Sequence, residues 1–263
     1  RGRVPVGVPH RQGGAADRRS HLRANALVGN RPEAAALELV APGFACRFHA
    51  DAVCALTGAP AAATLDGDPL PHDTVFTARA GQRLDLGPAP WGLRTVLAVR
   101  GGIAVEPVLG SRATDTLAGL GPAPLRARDR LPVGGLTGEQ DWRAPAPAVA
   151  PAQPLEVPVV AAPGAAWVDT AALAESLATV TAASGRTALR LDAPALARRR
   201  TEEFPPQALV RGAVQVPPDG RPIVFLADHP VTGGYPVIGV VPAAHNDRLA
   251  QLRPGDRLRL VLR

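Results

Sequence analysis

"GAVQVPPDGRPIVFLADHPVTGGYPVIG", residues 212–239, alternates short apolar, β-branched runs with proline and glycine. Pro217-Pro218-Asp219-Gly220 reads as a turn, because proline presets φ and glycine accepts a positive one. "PIVFLAD" then predicts a buried strand ending at Asp228. Gln215 lies in an apolar strand, where an amide is costly unless it finds a partner. Thr232 precedes the adjacent Gly233 and Gly234, and the single tyrosine, Tyr235, follows with Pro236. Such a stretch either turns a tight corner or bares backbone N–H groups beside a bound carboxylate or phosphate.

The same grammar runs outward from this stretch. "LRTVLAVRGGIAV" predicts a buried strand ending at Gly101-Gly102, and "TLDGDPL" a hairpin turning at Asp66-Gly67. "RPGDRLRLVLR" predicts a turn and then a strand with Leu258, Leu260 and Leu262 on one face. Helix signals are few. "DRRSHLRANALVGN" has Asp17 as N-cap and Gly29-Asn30 as its stop, and "DTAALAESL" pairs Leu173 with Leu177. "SRATDTLAGLG" and "AAHNDRLAQL" each suggest a turn or two of helix. Many short strands with Gly/Pro punctuation predict a mainly β, barrel-type fold. "RAPAPAVAPAQPLEVP" reads as a stiff linker, 143–158, dividing a front part, 1–142, from a back part, 159–263.

The chain has 263 residues, 46% of them hydrophobic, which suits one large or two small folded units. Its charge is +6, and all 29 Lys+Arg residues are arginine, with alanine, proline and glycine also abundant. That pattern reports a GC-rich coding bias more than a polyanionic partner. Aromatics are 3%, and the only arginine run, Arg198–Arg200, is followed by Glu202 and Glu203, which argues against nucleic acid. No apolar run reaches the ~18 residues of a membrane span, no signal peptide is visible, and a cytoplasmic protein is expected. The chain starts at Arg1 without methionine, which reads as a fragment or trimmed product. Cys46, His49 and Cys54 have metal-like spacing, but no fourth ligand is near. The cysteines read as small buried hydrophobes, in a segment alternating like a strand pair, and no metal is expected.

Three stretches gather polar residues at strand ends. The first is the opening one, with Gln215, Asp219, Asp228, Thr232, Gly233, Gly234 and Tyr235. The second, "VRGGIAVEPVLGSRATDTLAGLG", offers Arg100 and Arg112, able to fork onto a carboxylate or to hold their own loop. The third, "SGRTALRL", offers Arg186, although an exposed arginine is usually only solvated.

Together with "DRLAQLRPGDRLR" and the entry "GRVPVGVPHRQGGAADRRSHLRANALVGN", these stretches resemble the biotin-dependent carboxyltransferase-like family, also called the allophanate hydrolase subunit 2 family. The resemblance covers nearly the whole chain. It implies two cyclophilin-like β-barrel subdomains with a few short helices, and a front one lacking its first strand. Family members include the C subunit of bacterial 5-oxoprolinase (PxpC), KipA, and the carboxyltransferase part of urea amidolyase. The resemblance implies a hydrolase role as the 5-oxoprolinase C subunit, opening 5-oxo-L-proline to L-glutamate in a heteromeric, ATP-binding complex. Its partners there would be a KipI-like protein as the B subunit, with a LamB/YcsF-like protein as the A subunit. The alternatives are a carboxyltransferase for a urea-like substrate, which alone would involve biotin, and a non-catalytic KipA-like regulator. Under the first reading Asp228 or Asp219 orients water, Thr232 steadies developing charge, and Gly233, Gly234, Tyr235, Gln215, Arg100, Arg112 and Arg186 hold substrate. The chain departs from the family at Gly185 and Leu189, where aspartate and tyrosine are usual, and at His229, Pro230 and Val231. It also lacks the Ser-Glu element before Gly212.

Overall fold

A computed structural model describes residues 14–40, 43–138, 143–200 and 202–263. The expected loss of a first strand concerns residues before Gly14, outside those described.

Helix α1 (Arg18–Leu27) starts where its sequence signal lies. The Asp17 carboxylate accepts from Ser20 N at 2.9 Å and from the Ser20 hydroxyl at 2.6 Å, satisfying a donor that no helical carbonyl reaches. Past the helix, Gly29 adopts φ +72°, the left-handed conformation glycine supplies most cheaply. Two buried asparagines tie this end to the sheet behind it. Asn30 Nδ2 donates to Asn25 Oδ1 at 2.9 Å and Val99 O at 2.8 Å, while Asn30 Oδ1 accepts from Gly101 N at 2.7 Å. The Ala-Asn-x-Leu-Val-Gly-Asn pattern is therefore a clamp made of amides.

The front strands are β1 (Leu37–Val40), β2 (Ala45–Arg47), β3 (Ala52–Gly58), β4 (Ala63–Leu65), β5 (Asp68–Leu70), β6 (Val75–Ala78), β7 (Arg83–Leu86) and β8 (Arg94–Val99). They form two four-stranded sheets, β1-β8-β3-β6 and β2-β7-β4-β5, around a core that includes Leu39, Leu56, Leu84 and Leu97. β8 is buried at every position, so its sequence is a run rather than an alternation. Asp66 and Gly67, at φ +50° and +94°, turn β4 into β5. The expected strand pair around Cys46 and Cys54 is corrected: β2 pairs with β7 and β3 with β6 and β8, in different sheets. Helix was also expected at 111–121, and a turn is found. Asp115 Oδ1 accepts from Leu117 N at 3.0 Å and Ala118 N at 2.9 Å, a local bond that competes with a helix.

Residues 143–154 cross α1, where Arg19 Nε donates to Ala146 O at 2.9 Å and Arg23 Nη1 to Pro145 O at 2.7 Å. The stretch expected as linker to Pro158 becomes strand earlier, because β9 (Leu155–Ala161) begins at Leu155. Pro158 is accommodated since it faces Val261 in a parallel pair, while the neighbour on the other edge pairs only from Val160 onward.

The back part continues with α2 (Ala171–Glu175), β10 (Ala178–Val180), β11 (Ala188–Asp192), β12 (Gln207–Ala208), β13 (Ala213–Gln215), β14 (Ile223–Phe225), β15 (Thr232–Gly233), β16 (Val237–Val240), α3 (Ala243–Ala250) and β17 (Arg257–Leu262). Seven strands close a barrel in the order β10-β11-β14-β13-β16-β9-β17. Val157, Leu189, Val214, Val216, Val224, Ile238 and Leu258 belong to its core. Ala213 packs in a separate outer cluster with Leu209, Phe225 and Val237. Gln215 alternates with Val214 and Val216, so it shares that outer side, beneath the β12–β15 ribbon. The fold is mainly β, and no described helix is long and apolar enough to cross a membrane.

Candidate functional site

Arg186, just before β11, is the centre of a buried network. Its Nε donates to Asp228 Oδ2 and its Nη2 to Asp228 Oδ1, both at 3.0 Å. Nη1 reaches Glu38 Oε1 on β1 at 2.5 Å, and Nη2 also reaches Gly14 O at 2.6 Å. Arg94 Nε donates to the same Glu38 oxygen at 3.2 Å. The charges alternate along Arg94, Glu38, Arg186 and Asp228, so no ion is left uncompensated. Thr116 adds its N–H at 2.9 Å and its hydroxyl at 2.8 Å to Asp228 Oδ2. Burial opposes ionisation of Asp228, but the Arg186 and Thr116 hydrogen bonds outweigh it and hold the carboxyl below its usual range. Burial likewise opposes the Arg186 charge, yet Glu38 and Asp228 raise its pKa above the ordinary arginine value.

This geometry revises two expectations. Asp228 is fully buried and accepts four hydrogen bonds, so it holds Arg186 and Thr116 in place and the water-orienting role does not suit it. Arg186 spends four bonds on Asp228, Glu38 and Gly14, which favours a joint between the halves over a solvated or substrate-gripping side chain.

A second group lies under the ribbon. Gln215 is 3% exposed, and its Nε2 donates to Tyr235 O at 3.2 Å. Gly233 pairs with Gln207, and a Cβ there would sit 2.6 Å from Gln215 Nε2. Thr232 and Gly234 are exposed, and Tyr235 is 44% exposed, so the Thr-Gly-Gly-Tyr segment faces solvent. Gly234 N has no hydrogen-bond partner among the described residues. Both glycines avoid the left-handed region, so space, not φ, is what Gly233 supplies. Nearby, Phe204 meets Trp167 edge to face at 4.9 Å, and Arg200 lies over Trp167 at 5.1 Å.

The remaining candidates stand apart. Asp219 sits in the β13–β14 turn, at the opposite end of that hairpin from Asp228, and its carboxylate accepts from Arg221 N at 3.1 Å. Gly220 there has φ +75°, as the turn requires. Arg112 Nε donates to Val105 O at 2.8 Å and so holds its own loop. Arg100 is exposed beside Gly29. Among the described residues no group of three or more His, Cys, Asp or Glu is placed to hold a metal.

Sequence reasoning missed Glu38, Arg94, Thr116 and Gln251. Gln251, at the end of α3, accepts from Leu93 N and Arg94 N at 2.9 Å each, and donates to Asp17 Oδ2 at 2.6 Å and Arg94 O at 2.9 Å. All four hydrogen-bonding positions of this amide are filled. The only available signal was a polar residue beside an apolar turn of helix, which is common on surfaces.

The model of the carboxyltransferase domain, subdomain A and B, matches residues 6–262, and the chain belongs to that family. Within it, the chain is 35% identical over 257 residues to the C subunit of 5-oxoprolinase from Escherichia coli, a match covering 94% of this chain and 81% of that protein. A 116-residue stretch, 44% of this chain and 6% of the relative, is 38% identical to urea amidolyase of Saccharomyces cerevisiae. The crystal structure of TTHA0988 superimposes with a TM-score of 0.84 at 31% identity, over 95% of this chain and 50% of that one. This chain thus spans half the length of that structural relative.

Proposed function

We propose that the chain is the C subunit of an ATP-dependent 5-oxoprolinase, an amide hydrolase that opens 5-oxo-L-proline to L-glutamate together with its A and B subunits. The supporting observation is the 35% identity to a 5-oxoprolinase C subunit over 94% of the chain. A lactam carbonyl is a poor electrophile. In the proposed reaction ATP gives its γ-phosphoryl group to the lactam oxygen, and water adds to the carbon. The C–N bond breaks as nitrogen takes a proton, giving an acyl phosphate, and a second water releases glutamate and inorganic phosphate from it. This chain would contribute the Thr232 hydroxyl and the free Gly234 N–H as donors towards the charge developing on oxygen. The assay is glutamate release by mixed A and B subunits, with and without this chain. The expected result is turnover only when all three are present. An unchanged rate without it would instead support a KipA-like regulator that binds a KipI-like partner.

The urea amidolyase match favours a second reading, transfer of a carboxyl group from carboxybiotin to a urea-like substrate. The chain has no lysine, so biotin would arrive on another chain. Urea-dependent consumption of carboxybiotin, with no glutamate release from 5-oxoproline, would replace the first reading by this one.

A further inference from the structure

After Val105 the front part makes an excursion, residues 106–130, that holds no helix or strand and in which no residue is buried. A connection this long without secondary structure usually serves a function. Its two ends close where Ala104 N donates to Pro132 O at 2.8 Å. Inside it, polar bonds set the shape: Asp115 N donates to Leu120 O at 2.9 Å, and the Thr114 hydroxyl to Pro122 O at 2.6 Å. The apolar side chains are left outside. Leu109, Leu117, Leu120 and Leu125 are all exposed, Leu109 by 61%. Leu109 and Gly110, at φ +50° and +80°, make a two-residue turn closed by Val108 and Ser111. Both central positions of that turn are left-handed, a conformation that asparagine or glycine adopts more cheaply than leucine. A strained leucine held out in water gains nothing in the isolated chain. The same stretch carries Arg126, Arg128 and Arg130, all exposed, and none is within ion-pair distance of a carboxylate among the described residues. Exposed arginines elsewhere do find acids, as Arg79 finds Asp51 and Arg221 finds Asp192. Asp115 and Asp129 of this stretch are engaged by its own backbone, at Leu117 N, Ala118 N and Arg126 N.

We infer that residues 106–130 are a docking lobe for a partner protein with an acidic, apolar face, and that this partner is the B subunit. The assignment to B rests on the function proposed above. The leucines offer apolar area to bury, and the unpaired guanidiniums select an acidic face and orient it. The lobe also stands at the proposed site. Its Thr116 gives Asp228 two hydrogen bonds, and Thr232 follows Asp228 by four residues. A protein seated on the lobe therefore adjoins the Thr232–Gly234 edge. In the solved relative TTHA0988 this fold makes up 50% of the chain, so a second body of comparable length accompanies it there. A second copy of this chain fits less well, because a two-fold contact brings the same cluster of arginines from both copies together. A lipid surface also fits less well, because the lobe has no Trp, Tyr or Phe to anchor at the headgroups.

The test titrates purified B subunit into the full chain by calorimetry, at low and at high salt. Two variants accompany the wild type, each checked for a native melting transition. One combines Leu117→Ser with Leu120→Ser, and the other combines Arg126→Glu, Arg128→Glu and Arg130→Glu. The expected result is that each variant binds B at least about tenfold more weakly than the wild type. Salt should weaken the wild type and have little effect on the arginine variant. Wild-type affinity in both variants, or no binding of B by the wild type, overturns the inference, and glutamate release that still needs this chain would leave the proposed function standing. Loss of B binding in the variants, with no glutamate release from the wild-type complex, overturns the function and leaves the docking lobe. Sedimentation of the chain alone and capture by phosphatidylserine vesicles test the other occupants. A dimer that the variants dissolve, or vesicle binding that they abolish, with B binding unchanged in either case, overturns the assignment to B.

Discussion

Arg186 and Asp228 meet as two parallel hydrogen bonds of 3.0 Å, one from Nε and one from Nη2. The same guanidinium touches Glu38, 148 positions away in sequence. Replacing it strands the buried Asp228 carboxylate and leaves Arg94 as the remaining ion-pair partner of Glu38. Arg186→Met is expected to lose about 3 kcal/mol, the cost of leaving buried ions unpaired, read as the shift in urea unfolding. A loss under about 1 kcal/mol would mean that the network is not what joins the halves.

Among the groups that set the pH dependence, Asp228, His21 and His72 act with the same sign, His72 being pushed down chiefly by burial like His21. The Asp228 carboxyl is held below its usual range by Arg186 and Thr116 against the penalty of burial, so its stabilisation is present above the unfolded value of about 3.9. It is lost as pH falls through the lower folded value. His21 is pushed down chiefly by burial, and stability falls as pH drops from about 6.5, the unfolded value, towards the folded one. Melting curves from pH 7 to 5 should show the decline, and His21→Gln should reduce it, leaving the share of His72. An unchanged slope in the variant would assign the decline to other groups.

Gln251→Leu should be among the most damaging single changes in the back part. It leaves Leu93 N and Arg94 N without the partner found at 2.9 Å, and Asp17 Oδ2 with the Ser20 hydroxyl alone, and each orphaned buried group costs about 1–3 kcal/mol. An expected loss of about 3 kcal/mol or more is measurable by chemical denaturation. Tolerance of leucine would show that water reaches these groups.

Gly233 and Gly234 are adjacent, but alanine should separate them. At Gly233 the new Cβ meets Gln215 Nε2 at 2.6 Å and Leu209 Cδ1 at 2.9 Å, while at Gly234 its nearest neighbour is Phe204 O at 4.0 Å. Gly233→Ala should cost about 1–3 kcal/mol by overpacking, and Gly234→Ala should stay within about 0.5 kcal/mol. Comparable melting temperatures for both would remove the steric account.

Burial raises the thiol of Cys46 to about 11 and that of Cys54 to about 12. Since the thiolate is the reactive form, a disulfide reagent at pH 8 should label the native chain roughly a hundredfold more slowly than the urea-unfolded one. Rapid native labelling would place these thiols nearer the surface.

Local features were readable because their causes are local. Asp17 caps α1, Asp66-Gly67 turns a hairpin, and Gly220 supplies a positive φ, each through chemistry confined to a few residues. Leu258 and Leu260 are buried on one face of β17 as their alternation predicts. What stayed hidden is long-range. Nothing near Glu38 announces Arg186, and nothing near Gln251 announces Asp17, 234 positions away. The turn at 111–121 was misread as helix because the Asp115 side chain captures two backbone donors, an outcome composition does not reveal. Asp228 was legible as a special residue. Its occupation by Thr116 was not, since that partner comes from the other half of the chain.

The crossing at 143–154 is a covalent bridge between bodies that already grip each other. Gly14, Glu38 and Thr116 on one side converge with Arg186 and Asp228 on the other, and Arg253 adds bonds to Gly92 O at 2.5 Å and Ala89 O at 2.9 Å. A protease nick in that crossing would cut a tether and spare the grip. The two pieces would co-purify as one particle, and each expressed alone would expose unpaired arginines and acids that make it a client for aggregation.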